Sequence, residues 1–275
     1  MIEERHSYRP SRLNPNWLIH RLFYPAVPAF HPSAVVTMQK RFPDVSHWQG
    51  NINWDVMRSK TDAVIIRIGT GVKEDPQFRT NWAEAKKRGM YRGAYWFYDD
   101  TVSPGSQAQR VYDAIRYDPP EMEIAADWET TYKGSYGGLK NVVAFMESIE
   151  AKMGRLKCTS FYTGYYWFVG NSNPVTHASQ YRYLAERPLW LAWYIDNPAV
   201  VKVPAPWSKL HLWQYGTPVV GAEYGAQSKE LDMNYFNGDE SFFYQYYGGV
   251  TVPPPTGPKL IHKLGVYDNG SVKEL

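Results

Sequence analysis

The chain has 275 residues, of which 44% are hydrophobic and 21% are charged. That length suits one large α/β domain with short appendages, and that composition excludes disorder over the whole chain. The formal net charge is +3, and the first 41 residues carry six basic side chains against two acidic ones. The rest of the chain therefore lacks the basic excess of a nucleic-acid binder, and we expect no nucleic-acid partner.

Cysteine use and hydropathy exclude further classes. The single cysteine, Cys158, excludes an internal disulfide framework and a thiolate-rich metal site. No His and carboxylate cluster has the spacing of metal ligands, so no metal site is expected. No apolar run approaches the length of about 18 residues that spans a bilayer, so no membrane insertion is expected. Arg, His and Pro interrupt every apolar stretch near the N-terminus, which argues against a secretory signal peptide.

From Pro43 onward, strand-like and helix-like segments alternate. Residues 62–69 (DAVIIRIG) form an apolar, β-branched run typical of a doubly buried parallel strand. Amphipathic or capped segments then predict helices that alternate with further strands: a helix from Phe78 towards Gly89, a strand at 92–100, a helix at 104–117, a strand at 123–129, a helix at 139–153 and a strand at 158–164.

After Pro188 the pattern changes. Three strand-like segments, at 189–194, 210–216 and 230–236, follow one another without a long helix between them. The sum is five βα units followed by about three strands with few helices. Such a chain predicts an α/β fold, an irregular TIM-like barrel built on a parallel sheet.

Four carboxylates fall at predicted strand ends, where a parallel barrel forms its active site: Asp44, Asp127, Glu129 and Asp232. Asp127 and Glu129 are i and i+2 on one strand, so their side chains share a face and their Cα atoms lie roughly 6.5–7 Å apart. Beside apolar neighbours, one of the two is expected to have a raised pKa and to serve as the acid that glycosidic cleavage needs. The alternative is a pair of ordinary strand-end carboxylates that accept hydrogen bonds from loop amides.

Taken in order, these segments resemble the glycoside hydrolase family 25 lysozymes, the Chalaropsis-type N-acetylmuramidases. The matching stretches include DVSHWQGNINWDVM (44–57), AVIIRIGTG (63–71), ADWE (126–129), LWQYG (212–216) and LDMNYFNG (231–238). The resemblance covers about residues 42–238 and implies a flattened barrel of five βα units plus three strands. It also implies hydrolysis of the β-1,4 bond between N-acetylmuramic acid and N-acetylglucosamine in peptidoglycan, without a cofactor.

The resemblance also implies roles for individual residues. Glu129 matches the general acid, and Asp127, Asp44 and Asp232 match the other acids of the cleft. Two departures from the family pattern are Trp128, where an aliphatic residue is common, and Trp96, where many members have His. We expect Trp128 to point away from the cleft. The implied substrate-binding residues are Tyr95, Tyr162, Trp190, Trp193, Tyr194 and Gln214.

The resemblance sets the expected domain boundaries. Residues 42–247 are predicted to be the catalytic domain, and residues 1–41 an N-terminal extension outside it, with a short helix near Pro15–Phe23. Residues 248–275 are predicted to be a Pro-rich linker followed by a short tail. Within that tail, VYDNGSV has a hairpin pattern with Asn-Gly at the turn.

Two other functions stay open at this point. A non-catalytic protein could use the same aromatic cleft to hold cell-wall glycan, and a chitinase-like glycosidase could carry the same D-x-E strand end. The expected partner is the peptidoglycan glycan strand, bound by a monomer. The N-terminal pattern suits a phage or prophage lysin that reaches the wall through a separate pore, with a secreted bacterial enzyme as the alternative.

Overall fold

The computed structural model describes residues 40–155, 158–195, 200–215 and 219–248, together with the backbone of 264–266 and 272–274. The first part of the described chain alternates strands and helices: β1 (Lys40–Val45), α1 (Trp54–Lys60), β2 (Ala63–Thr70), β3 (Lys73–Glu74), α2 (Phe78–Lys87), β4 (Tyr91–Phe97), α3 (Pro104–Ile115), β5 (Ile124–Asp127), α4 (Leu139–Met153), β6 (Thr159–Gly164), α5 (Tyr165–Asn171) and α6 (Ala178–Leu184). The predicted helix near Pro15–Phe23 and the linker at 253–258 lie outside the described residues.

The last part of the chain is mostly strand: β7 (Leu189–Ala192), β8 (Leu212–Gln214), β9 (Val219–Val220), β10 (Glu230–Leu231), β11 (Met233–Phe236), α7 (Glu240–Tyr246), β12 (Leu264–Val266) and β13 (Val272–Glu274). The strands β12 and β13 pair antiparallel, as the predicted hairpin requires. The five βα units and the helix-poor final strands are therefore confirmed.

Eight strands close the barrel in the order β1, β2, β4, β5, β6, β7, β8 and β11, with β11 paired back onto β1. All neighbours from β1 to β8 are parallel, but β11 is antiparallel to both β8 and β1. The parallel sheet implied by the βα units therefore extends from β1 to β8, and β11 is the antiparallel exception in the irregular last third of the barrel. A parallel strand needs a long crossover to bring the chain back, whereas β8 and β11 are joined through the short antiparallel pair of β9 and β10. Strand β11 therefore starts at the end of the barrel where β8 finishes.

The strands are buried on both faces. One set of side chains fills the barrel interior, among them Ile65, Ala125 and Leu212. The alternate set packs under the helices, among them Ile66 and Phe161. Burial on both sides explains why these strands are nearly continuous apolar runs in the sequence.

The two tryptophans that depart from the family pattern belong to the outer layer. Trp128 packs edge-on against Phe161, Trp167 and Phe168, so it points away from the barrel interior as expected. Trp96 is buried, and its indole N–H donates a 2.9 Å hydrogen bond to Gln107 on α3. The tryptophan that replaces a histidine therefore anchors a helix to the sheet.

Helix α7 closes the end of the barrel at which the parallel strands begin. Its Phe243 ring packs against Phe42 of β1, Tyr91 of β4 and Phe236 of β11. The sequence pattern alone did not predict this helix. Among the described residues, no helix combines the length and the apolar character needed to cross a bilayer.

Candidate active site

The opposite end of the barrel carries the four acids. Asp44 lies near the end of β1, Asp127 ends β5, and Glu129 follows two residues later. Asp232 occupies the bend between β10 and β11. Because β11 runs against its neighbours, its first residues lie at the carboxyl ends of the parallel strands. The reversed strand therefore brings Asp232 to the same edge as the other three acids, and the four carboxylates interact electrostatically.

Asp44 is a buried carboxylate held by two amides. Its Oδ2 atom accepts hydrogen bonds from Gln214 Nε2 at 2.8 Å and from Asn234 Nδ2 at 2.9 Å. Burial, with the nearby Asp232, raises the pKa of Asp44 to about 7, although the two amides oppose the shift. A carboxyl of this kind changes its charge near neutral pH.

Glu129 is half-buried, so it is open to a ligand in the cleft. Burial raises its pKa to about 7, with a further contribution from the negative charge of Asp232. The hydroxyl of Tyr162, 3.4 Å from Glu129 Oε2, acts in the opposite direction because it donates a hydrogen bond to the carboxylate. At neutral pH a substantial fraction of Glu129 therefore holds a proton that it can give to a bound substrate.

Asp127 is the most enclosed of the four acids, with 4% of its surface exposed. Its Oδ1 atom is buried without a hydrogen-bond partner among the described residues. Burial and the charge of Glu129 raise the pKa of Asp127, whereas the guanidinium of Arg67 lowers it. A buried carboxylate oxygen without a partner is costly, and such groups concentrate at functional sites.

A hydrogen-bonded layer of tyrosine and glutamine joins these acids. The hydroxyls of Tyr162 and Tyr194 lie 2.7 Å and 2.9 Å from Gln214 Oε1. The other end of the same amide holds Asp44. Of the residues expected to bind substrate, Tyr162, Tyr194 and Gln214 thus lie together beside the acids. Tyr194 is 42% exposed, which leaves its ring open to a ligand.

The remaining aromatic residues lie at different depths. Trp190 is 2% exposed, donates to Asn234 Oδ1 at 2.7 Å and packs against Tyr162 and Tyr95. It therefore supports the cleft from beneath. Trp193 stacks on Tyr165, with ring centroids 4.2 Å apart, and its backbone N–H donates to Gln214 O. A second exposed ring, Tyr166, packs edge-on against Trp193.

Two residues of the site were missed in the sequence. Asn234 lies in the same LDMNYF stretch as Asp232, and its i+2 spacing from that acid was an available indication. Arg67 is the one charged residue in the apolar run of β2, which could also have marked it. Its Nε atom donates at 2.8 Å to the fully buried side chain of Asp75, which also accepts from the ring of His47. These contacts fix a cation next to Asp127.

The chemistry available in this cleft is that of acids and a cation. Within the described residues, no group of three or more His, Cys, Asp or Glu side chains is arranged to hold a metal ion. A protonated glutamate, an enclosed aspartate, an arginine and exposed aromatic rings are a set suited to cleaving a glycosidic bond by general acid catalysis.

Sequence comparison places the chain beside proteins of known family. The family model described as glycosyl hydrolases family 25 matches residues 43–221. Lysozyme M1 of Streptomyces globisporus is 30% identical over 212 residues, covering 71% of this chain and 67% of that protein. YegX, an uncharacterized protein of Escherichia coli (strain K12), is 25% identical over 219 residues, covering 77% of this chain and 74% of its own length.

Structural comparison gives the same fold. A bacterial lysozyme from Streptomyces coelicolor superposes with a TM-score of 0.59 at 25% identity, covering 75% of this chain and 95% of that one. A family 25 glycosyl hydrolase from Bacillus anthracis superposes with a TM-score of 0.57 at 21% identity, covering 79% of this chain and 98% of its own. The second similarity concerns the fold alone.

Proposed function

This chain belongs to glycosyl hydrolase family 25 and is a glycoside hydrolase, a lysozyme that cleaves peptidoglycan, and we propose that Glu129 is its general acid and Asp127 its assisting carboxylate. The observation that carries the assignment is the raised pKa of Glu129, about 7, in a half-buried side chain beside the enclosed Asp127. An acid must be both protonated and reachable to act on substrate, and Glu129 meets both conditions.

In this proposal Glu129 gives its proton to the glycosidic oxygen as the bond to the sugar's C1 carbon breaks. The leaving sugar departs as a neutral alcohol, and Glu129 is left as a carboxylate. On the retaining route described below, Glu129 then accepts a proton from the water molecule that completes hydrolysis, whereas on the inverting route Asp127 accepts that proton. The hydroxyl of Tyr162 favours this ionised form, because it donates towards Glu129 Oε2.

Asp127 acts on the positive charge that develops on the sugar ring. Its enclosed oxygen, without a partner among the described residues, supports this role, since a fixed charge is strongest where water is excluded. Burial and the charge of Glu129 raise the pKa of Asp127, and Arg67 opposes them. The contribution of Glu129 disappears when Glu129 is protonated, so Arg67 and a protonated Glu129 together favour the ionised form of Asp127. Asp127 then either orients the acetamide of the substrate or directs a water molecule. The first route retains the configuration at C1 and the second inverts it, so NMR of the first-formed anomer separates them.

The other cleft residues are proposed to bind the glycan strand. Asp232 is exposed at the rim of the cleft and Asp44 lies in its floor. The exposed ring of Tyr194 offers a flat apolar face of the kind on which sugar rings stack. Tyr95, Trp190 and Trp193 support this surface from below and from the side.

The enzyme acts on the bacterial cell wall, and we propose that it does so as a monomer. The support is that one chain supplies all four acids of the cleft; light scattering on the purified protein tests it. A phage or prophage lysin is the proposed setting. If lysis of an expressing host requires a separate pore-forming protein, that setting holds.

Product analysis tests the function directly. Purified cell walls are treated with the enzyme, and released fragments are examined by mass spectrometry after reduction of their ends. Reduced N-acetylmuramic acid ends are expected. Reduced N-acetylglucosamine ends would instead indicate a glucosaminidase or chitinase-like cleavage, and wall binding without released fragments would indicate a non-catalytic glycan-binding protein. Glu129→Gln serves as the inactive control.

A further inference from the structure

A second concave site lies on the side of the barrel, between α1 and α2. It is a cavity of about 310 Å³, lined by residues of both helices and of the turn that precedes α1. None of the four acids and none of the residues assigned to the cleft lines it. At ~30 Å³ for a water molecule, the volume corresponds to about ten waters, enough for one sugar ring. We call it the α1–α2 groove.

The groove contains a buried donor without an acceptor. Asn81, on α2, is 1% exposed, and its Nδ2 atom has no hydrogen-bond partner among the described residues. Buried side-chain amides are nearly always paired, so an unpaired one in the wall of a cavity indicates a missing partner. The partner must be a hydrogen-bond acceptor, such as a carbonyl or hydroxyl oxygen.

Four of the other lining residues are polar and neutral, namely Asn51, Asn53, Gln77 and Thr80, and they lie beside Ile52, Trp54 and the charged Glu84 and Arg88. Gln77 caps the start of α2, and Thr80 directly precedes Asn81 on that helix. Trp54, at the start of α1, is 3% exposed and belongs to the core beneath the groove. Asn53 caps α1 with its Oδ1 atom, so its amide still carries two N–H donors. Side-chain amides and a hydroxyl provide donors and acceptors of the kind that hold an uncharged, hydroxyl-rich ligand.

Charge at the groove is already balanced. Arg88 closes one end by contacting Glu84 on α2 and Asp55 on α1. Because this arginine is engaged by two carboxylates, it offers no net positive charge to a phosphate or a free carboxylate. The charges at the groove therefore favour a neutral ligand over an anionic one.

We propose that the α1–α2 groove is a secondary binding site for an N-acetylated sugar of the glycan strand. The choice of sugar rests on the peptidoglycan-cleaving function; the existence of a neutral polar site rests on the groove alone. The acetamide carbonyl or a ring hydroxyl supplies the acceptor that Asn81 lacks, once a rotation of the side chain turns the buried Nδ2 atom into the groove. A second contact on the same polymer lengthens the stay of the enzyme on the wall without any change at the catalytic cleft.

The test uses triacetylchitotriose as a soluble probe and amide NMR of the full chain. Titration is expected to shift the amide signals of Asn51–Trp54 and Gln77–Glu84 in a saturable manner, with a millimolar dissociation constant. Thr80 is exposed, so Thr80→Trp fills the groove without disturbing the core and is expected to abolish these shifts. Thr176→Trp, at an exposed threonine that does not line the groove, is the matched control and keeps them.

A second variant separates binding from structure. Asn81→Leu removes the unpaired donor, so it is expected to weaken groove binding several-fold while leaving the melting temperature unchanged or higher. On insoluble walls, Thr80→Trp is expected to lower retention in a salt-independent way and to leave cleavage of a short soluble fragment unchanged. If the amide NMR signals of the groove do not shift at a high concentration of triacetylchitotriose, in a preparation that still lyses walls, the groove proposal alone is overturned. A preparation that does not lyse walls at all would overturn the proposed function instead.

Discussion

Gln214 donates a hydrogen bond of 2.8 Å from its Nε2 atom to Oδ2 of Asp44, 170 positions earlier in the chain. The bond joins β8 to β1 across the reversed strand β11, which lies between them. Asn234 of β11 donates to the same oxygen. Amide donors from two strands thus oppose the effect of burial on Asp44, and they tie an acid of the cleft to the tyrosines around Glu129.

The first prediction concerns the proton donor. Glu129→Gln removes the proton but keeps the shape of the side chain, so lysis is expected to fall by roughly 10²–10⁴-fold while glycan binding persists. Turbidity loss of purified walls and a sedimentation assay with the same walls measure the two properties. If the variant lysed walls at a rate within a few-fold of that of the unmodified enzyme, Glu129 would not be the general acid.

The second prediction separates Asp127 from Asp44. Asp127→Asn keeps the size of the side chain but removes the charge that acts on the transition state. Turnover is therefore expected to fall by about 10²-fold or more, with little change in affinity. Asp44→Asn is expected to affect affinity as well, because Asp44 forms part of the hydrogen-bonded cleft floor. Steady-state kinetics on a soluble muroglycan measure turnover and affinity separately. If Asp127→Asn weakened affinity but left turnover unchanged, Asp127 would not be the assisting carboxylate.

The third prediction is a pH profile. Since the protonated form of Glu129 is the active one, activity is expected to fall as pH rises through about 7, the pKa of Glu129. Tyr162 lowers that pKa, so Tyr162→Phe is expected to move the alkaline limb of the profile to higher pH. Tyr194→Phe, which loses hydrogen bonds with Gln214 and Tyr162 but none with Glu129, is the control and keeps the limb in place. A limb unmoved by Tyr162→Phe would contradict the assignment of the limb to Glu129.

The fourth prediction follows from linkage between protonation and folding. Glu129 and Asp44 have pKa values of about 7 in the folded protein against 4.5 and 3.8 ordinarily. At pH values between the ordinary pKa and the raised pKa of these groups, the folded chain holds protons that the unfolded chain has released. The free energy of unfolding therefore falls as pH rises through this range. Glu129→Gln removes one such group, so the stability of the variant relative to the unmodified enzyme is expected to be ~1–3 kcal/mol higher at about pH 7.5 than at about pH 5. Urea denaturation at the two pH values measures it, and an unchanged pH slope in the variant would refute it.

The fifth prediction concerns residues 1–37, which we propose are dispensable for folding and cleavage. A chain that starts at Met38 keeps all of β1, including the buried Lys40 that contacts Asp62 and Tyr244. Its formal charge falls by two, because four arginines and two glutamates are removed. Attraction to an anionic wall is therefore expected to weaken at low salt and not at moderate salt. A markedly lower melting temperature, or lost lysis at moderate salt, would show that the segment belongs to the fold.

The barrel could be predicted because its strands are buried on both faces. A doubly buried strand such as β2 is a continuous apolar run, and amphipathic helices such as α4 separate such runs. The direction of β11 could not be predicted in the same way. An apolar run reports burial but not the end of the barrel from which the chain enters, and that direction is set by the short β9–β10 connection.

Helix α7 and Arg67 show two other limits. The stretch ESFFYQY of α7 is aromatic along most of its length, so it shows no helical periodicity, and its packing on Phe42 and Phe236 decides its structure. Arg67 lies in a strand that otherwise buries apolar residues, and only the folded barrel shows that Asp75 and Asp127 surround it. Carboxylates at strand ends were easier to find, since the fold class alone places those ends together.

The way the chain enters and leaves the barrel has a practical consequence. Lys40, the first residue of β1, pairs directly with Phe236, the last residue of β11. Helix α7 lies at that same end of the barrel, away from the acids. A tag, a surface linker or a fused binding module attached before Lys40 or after Tyr246 is therefore joined at the face remote from the cleft. Immobilisation through either point leaves the catalytic cleft facing away from the support. An insoluble cell wall, which cannot diffuse to a cleft that faces the support, can then reach it.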